Sequence, residues 1–163
     1  TLAETTGYAD IIGVRQKGKP WHFIDKRGNP LNAPLVDGII KSSDGTWFAD
    51  GRGAVYNGGK FYWVNDKGLA AFDIKAEFIT AFQNGFATYW DGESWRYIDK
   101  NGRLVSKRHF ATAGAFENGE APVTIAGPMF FLIQSKTIDD EKSKMKYWIE
   151  ENATELGKTI PKE

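Results

Sequence analysis

Acid–base or metal chemistry in this 163-residue chain would have to be assembled from two histidines, His22 and His109, and twenty-one acidic side chains. The histidines lie far apart, and neither has a partner at a spacing that marks a metal site or a Ser-His-Asp relay. Asp139, Asp140 and Glu141 gather charge, but the D-x-D-x-D-G order of a calcium loop is missing, which reads as a solvated acidic loop. The glycines follow no G-x-x-x-x-G-K-[ST] phosphate pattern. With no cysteine, disulfides, thiolate metal sites and cysteine nucleophiles are excluded. The expectation is therefore no catalytic residue, no metal and no cofactor, with an opposed carboxylate pair of the glycosidase kind as the enzyme alternative. Recognition is left, and its candidates are Trp47, Tyr56, Tyr62 and Trp90, an aromatic patch able to stack on a sugar or anchor a protein, with Arg96 as a bidentate donor to a carboxylate.

What positions these residues is a repeat. Shifting the chain by thirty-four lays Phe48, Asp50, Gly51, Gly58, Phe61, Val64 and Gly68 beside Phe82, Asn84, Gly85, Gly92, Trp95, Ile98 and Gly102. The next shift reaches Phe116, Asn118, Gly119, Ala121, Met129, Phe131 and Leu132, and a step of forty backward gives Tyr8, Gly13, Gly18, Trp21, Ile24 and Gly28. Four copies result, at about 8–28, 48–68, 82–102 and 116–136, followed by an extension over 137–163. Eleven Phe, six Tyr, six Trp and eighteen Gly suit short strands and tight turns. Asn57-Gly58 and Asp91-Gly92 read as hairpin turns, and Asn101-Gly102 as the next reversal. The expected fold is all-β: one domain of four antiparallel hairpins forming a curved sheet or partly open barrel. Residues 139–157 fit either a short helix or a strand pairing back on MFFLIQS. The segments DIKAEFITAF and SKRHFATAGAF fit one helical turn or an extended bend.

Alternation places Trp95 and Tyr97 on one face of their strand. Trp21/Phe23, Phe61/Trp63 and Met129/Phe131 occupy the same columns and are expected to stack into a shared core, as are Ile24, Val64, Ile98 and Leu132. Gly13, Gly53, Ala87 and Ala121 mark close approach between units. Asp25, Asn65 and Asp99 stand three residues before a turn glycine, where a side-chain oxygen can accept backbone N–H bonds. Trp90 shares its column with Tyr56, Gln16 and Thr124, and Tyr62 with His22, Arg96 and Phe130. Polar residues occupy both columns, so these aromatics are read as outward-facing, unless the long segment after Pro30 covers them.

The motifs FQNGFATYW with WRYIDKNG, FADGRGAVY with FYWVNDKG, and RQKGKPWHFIDKRG resemble the bacterial WG-repeat (KWG-like) family, although His22, Tyr62, Arg96 and Phe130 stand where that family has glycine after the tryptophan. The resemblance implies a bacterial protein of β-hairpins without established catalysis. Balanced charge, twenty-one basic against twenty-one acidic residues, disfavours nucleic acid, and no apolar run reaches membrane-spanning length. The preferred reading is a non-catalytic module that binds a protein partner, with a toxin's immunity protein as an analogy. The alternative is a cell-wall glycan-binding module, since WHFIDKRG and WRYIDKNG are also similar to choline-binding repeats of shorter period. A start at Thr1 suggests processing or shortening, and a secreted or periplasmic site is favoured over the cytoplasm.

Overall fold

Every element among the described residues is a short antiparallel strand. The structure is a computed structural model that describes residues 3–7, 9–124, 129–134 and 147–148. Among the described residues four successive sheets form, and none closes into a barrel. Unit one contains β1 (Ala3–Thr5), β2 (Ile11–Gln16) and β3 (His22–Asp25). Unit two has β4 (Gly38–Ile39), β5 (Phe48–Ala49), β6 (Arg52–Asn57) and β7 (Lys60–Val64). Unit three has β8 (Phe78–Ile79), β9 (Phe86–Trp90) and β10 (Trp95–Asp99), and unit four β11 (Thr112–Ala113), β12 (Glu120–Thr124), β13 (Met129–Gln134) and β14 (Tyr147–Trp148). No helix occurs among the described residues. Tyr147 and Trp148 pair with Gln134 and Ile133, as the strand reading of the tail expects. Residues 139–146 and 149–157, where a helix was the other expectation, lie outside the described residues, as does Tyr8 of the first copy.

The connections are extended and are shared by neighbouring units. Val36 exchanges backbone hydrogen bonds with Trp21 of unit one, and two residues later Gly38 pairs with Tyr56 of unit two. Ala76 joins Phe61, with Phe78 opposite Trp90, and Phe110 joins Trp95, with Thr112 opposite Thr124. Each connection thus satisfies the outer edge of one hairpin before supplying the first strand of the next, which leaves fewer unpaired backbone groups between units.

Local turn chemistry repeats with equal regularity. The Asp25 carboxylate accepts the N–H groups of Arg27 and Asn29, the Asn65 amide oxygen those of Lys67 and Leu69, and Asp99 those of Asn101 and Arg103. The expected turn role of these residues is observed three times. Two hairpin turns differ from expectation: Asn57 pairs with Lys60, so Gly58 and Gly59, both at positive φ, make the two-residue loop of unit two, and Trp90 pairs with Trp95, so residues 91–94 connect the strands of unit three with positive φ at Gly92 and not at Asp91. A second class of tight turn sits at Asp50-Gly51, Asn84-Gly85 and Asn118-Gly119, where both residues have positive φ. These turns also fasten units together: the Gly85 N–H donates to the Asp50 carboxylate at 2.9 Å, and the Asn84 amide donates to the Phe116 carbonyl at 2.6 Å.

The core is divided among the unit boundaries. Phe23, Trp21 and Val36 of unit one pack with Val55 and Val64 of unit two. Trp63 and Ala54 of unit two meet Ala87 and Ile98 of unit three, and Tyr97 of unit three meets Phe116, Ala121 and Val123 of unit four. In each case the aromatic face of one hairpin lies on the aliphatic face of the next. Tyr97 and its neighbour Ile98 are therefore both buried, although alternation points them to opposite faces. The single aromatic spine expected from the columns is instead a series of boundary cores, the nearest-neighbour arrangement of a repeat protein.

Register refines one expected column. Phe23 pairs with Gly13 where Trp63 pairs with Ala54 and Tyr97 with Thr88. Gly13 therefore corresponds to Ala54, and Ile12 is the counterpart of Gly53 and Ala87. The longer turn of unit one, between Gln16 and Trp21, absorbs the extra residue.

Candidate functional site

The most continuous aromatic surface runs across units two and three. Tyr56 and Phe61 are direct cross-strand partners, as are Phe78 with Trp90 and Trp90 with Trp95, so each pair projects from one side of its sheet. The shared connection brings the two sets together. Ring centroids are 4.8 Å apart for Tyr56–Phe61, 5.2 Å for Phe61–Phe78, 6.1 Å for Phe78–Trp95 and 5.6 Å for Trp95–Trp90. Phe78 is 47% exposed, and the other four are half-buried. The chain spends a row of large aromatics where water still reaches them.

Of the five residues singled out by sequence, Tyr56 and Trp90 belong to this row. Trp47 does not. It is 2% exposed, stacks on Phe23 at 5.7 Å, and lies in the boundary core with Leu31 and Ala33 packed alongside. The reason is a paired substitution inside the repeat: the column of Trp47 holds Ala81 in unit three, and the missing side chain of Gly53 makes room for the indole. A Cβ on Gly53 would strike the Trp47 ring and approach Phe48 to 2.8 Å. Trp47 is thus corrected from an exposed to a core residue. Its alignment with Ala81 and Ala115, just before the recurring Phe, was the available signal.

Tyr62 pairs with Val55 and faces the opposite side from Phe61, where it lines an open pocket with Pro34 and Leu69. Arg96 pairs with Tyr89 and is likewise across the sheet from Trp90 and Trp95. Its guanidinium lies 3.8 Å from the Asp91 carboxylate, and its Nε is buried without a hydrogen-bond partner among the described residues. The five candidates do not form one patch. Trp95, expected in the buried column, is half-buried and belongs to the row. Phe61 and Phe78 were missed, the first because its column reads as core and the second because it lies in a connection that the pattern left open.

Beside Arg96, Asp91, Ser94 and His109 come together at the end of the β9–β10 hairpin. Ser94 Oγ is 2.7 Å from His109 Nδ1, and Asp91 Oδ2 is 3.8 Å from the same nitrogen. A serine–histidine–carboxylate relay needs the hydroxyl and the carboxylate on opposite ring nitrogens, so this geometry moves no proton from Ser94 through the imidazole to Asp91. It organises the turn, with Asp91 accepting the N–H groups of Glu93 and Ser94. Burial pushes the Asp91 carboxyl upward, but these N–H groups, the Ser94 hydroxyl and His109 outweigh it and hold it below the ordinary carboxylate value. Burial raises the Tyr89 hydroxyl, with Asp91 adding and Arg96 opposing.

Among the described residues, no three His, Cys, Asp or Glu side chains gather to hold a metal, and no helix is long and apolar enough to cross a membrane. No family model and no curated protein matches the chain.

Proposed function

We propose that the chain is a non-catalytic binding module of the WG-repeat kind that docks a protein partner along the row Tyr56, Phe61, Phe78, Trp95 and Trp90. The observation that supports it is the continuity of five partly exposed rings over two units, an apolar surface of the type that anchors interfaces. Neighbouring rings meet at 48° to 89°. They offer edges and clefts to side chains in preference to one flat platform for a sugar ring.

The test compares the parent with Phe78→Ser/Trp90→Ala, after confirming that both melt cooperatively. The parent is expected to retain one partner stoichiometrically from a lysate of the source cell and to bind that partner, once purified, at least tenfold more tightly than the variant. Equal retention by both proteins argues against the row. Saturable binding to purified peptidoglycan, lost in the same variant, replaces the protein partner by a glycan.

A further inference from the structure

Unit two carries an open pocket of about 360 Å³, lined by Tyr62, Leu69 and Pro34 together with Lys60, Lys75 and Asn57. The offset of thirty-four carries four of these residues onto the polar cluster at the end of the β9–β10 hairpin: Asn57 onto Asp91, Lys60 onto Ser94, Tyr62 onto Arg96 and Lys75 onto His109. Strand pairing agrees with that equivalence. Tyr62 sits opposite Val55 as Arg96 sits opposite Tyr89, and Ala76 joins Phe61 as Phe110 joins Trp95. In unit three the cluster is satisfied around a carboxylate of its own: Asp91 lies 3.8 Å from both the Arg96 guanidinium and the His109 imidazole, and Ser94 joins that imidazole at 2.7 Å. Unit two has Asn57 where the carboxylate would be, and two ammonium groups beside it. Among the described residues, the side chains of Lys60, Tyr62 and Lys75 make no hydrogen bond and no ion pair. The acids alongside do not supply the missing charge, since Asp37 accepts the Gly58 N–H at 3.0 Å and Glu77 sets its Oε1 beside Gly92 of unit three.

We infer that this pocket binds a ligand bearing a carboxylate on an apolar group. The ligand's carboxylate takes the place that Asp91 fills in unit three and accepts charge-assisted bonds from Lys60 and Lys75. Its apolar group lies against Tyr62, Pro34 and Leu69, which is 42% exposed and gains from being covered. An apolar lining with a few placed polar groups is the composition of small-ligand sites. The pocket is separate from the aromatic row, because Tyr62 faces the opposite side of its sheet from Phe61.

The test follows the backbone amide signals of the intact protein as phenylacetate, phenylacetamide, N-acetylglycylphenylalanine or the amide of that dipeptide is added. Both acids are expected to saturate, with shifts centred on Gly58, Lys60, Tyr62 and Leu69, and each amide to bind about tenfold more weakly than its acid. The tighter acid names the source of the carboxylate: a small organic acid if phenylacetate, the C-terminus of a peptide if the dipeptide. Lys60→Gln and Lys75→Gln, at exposed positions, should each weaken the acids by about tenfold, and Asn57→Asp, which installs the carboxylate of unit three, by a similar factor. Phe78→Ser/Trp90→Ala should bind them as the parent does. The inference is overturned if neither acid saturates, if amides bind as tightly as acids, or if Asn57→Asp and the lysine variants all match the parent. Loss of binding in Phe78→Ser/Trp90→Ala also overturns it, by moving the site to the aromatic row.

Discussion

At the scale of single residues, burial separates aromatics that share one face of a hairpin. Trp63 is 1% exposed and Tyr97 1%, while Trp90 and Trp95 are half-buried partners on the surface row. Trp63→Ala should cost about 3–5 kcal/mol in denaturant unfolding, because it empties a boundary core and strands the Thr80 carbonyl that its indole N–H donates to. Trp90→Ala and Trp95→Ala should cost about 1–2 kcal/mol each and resemble one another. A Trp95 loss as large as that of Trp63 would return Trp95 to the core. The turn carboxylates make a prediction about pH. The Asn29 N–H, with further help from Arg27, holds Asp25 below its ordinary value despite some desolvation, and the Ser42 hydroxyl with the Thr46 N–H does so for Asp44. A depressed folded-state value means that the stabilisation is present above the unfolded value, near pH 4, and is lost as pH falls through the folded one. The melting temperature should therefore drop between about pH 5 and pH 3. Asp25→Asn should flatten part of that drop by slightly lowering the neutral-pH melt, while the turn itself persists, since Asn65 already makes the same turn with an amide.

At the scale of elements, the Asn-Gly turn of unit three does two things that substitution can separate. Asn84 adopts φ of 54° and its amide reaches the Phe116 carbonyl of unit four. Asn84→Gly keeps the conformation and loses only the bridge, at a cost of about 1 kcal/mol, whereas Asn84→Ala loses both and should cost about 2 kcal/mol. Thermal melts of the two variants check this: an Asn84→Gly melt equal to the parent's would mean that the bridge contributes nothing, and equal losses would mean that the left-handed conformation costs alanine nothing. The hairpins and the Asx positions were legible because they depend on short-range backbone chemistry, which dipeptides such as Asp91-Gly92 announce, although the loop register at Asn57-Gly58 and Asp91-Gly92 is set by the strand pairing and was not. The short strands β4, β8 and β11 were not, since two-residue strands carry no period and exist only because the hairpins on either side offer unpaired edges. The same gap hid Phe78 and with it the continuity of the aromatic row. Trp47 was misread for a related reason: its environment is set by Gly53 across the ladder and Phe23 in the preceding unit, neither of which is near it in sequence.

At the scale of the whole molecule, all-β architecture and fourfold repetition were readable from spacing alone, but the division of the core was not. Columns show that a position is apolar in every copy without saying which neighbour it meets. The structure supplies that rule, with the aromatic side of one unit on the aliphatic side of the next, and the rule makes stability a sum over boundaries. Hydrogen exchange should then be slowest in units two and three, which have described neighbours on both sides, and faster in unit one. Uniform protection across units one to three would argue for a single cooperative block. The shared connections carry this one step further. Since each segment such as residues 71–80 closes one hairpin and opens another with the same register, the chain is modular in the manner of a ruler, and a spliced-in duplicate of residues 71–104 brings its own matching joints at both ends. Length then becomes an adjustable quantity, open to lengthening in increments of thirty-four residues, each insertion adding one new boundary in which Tyr97 meets a copied Ala87 and Ile98.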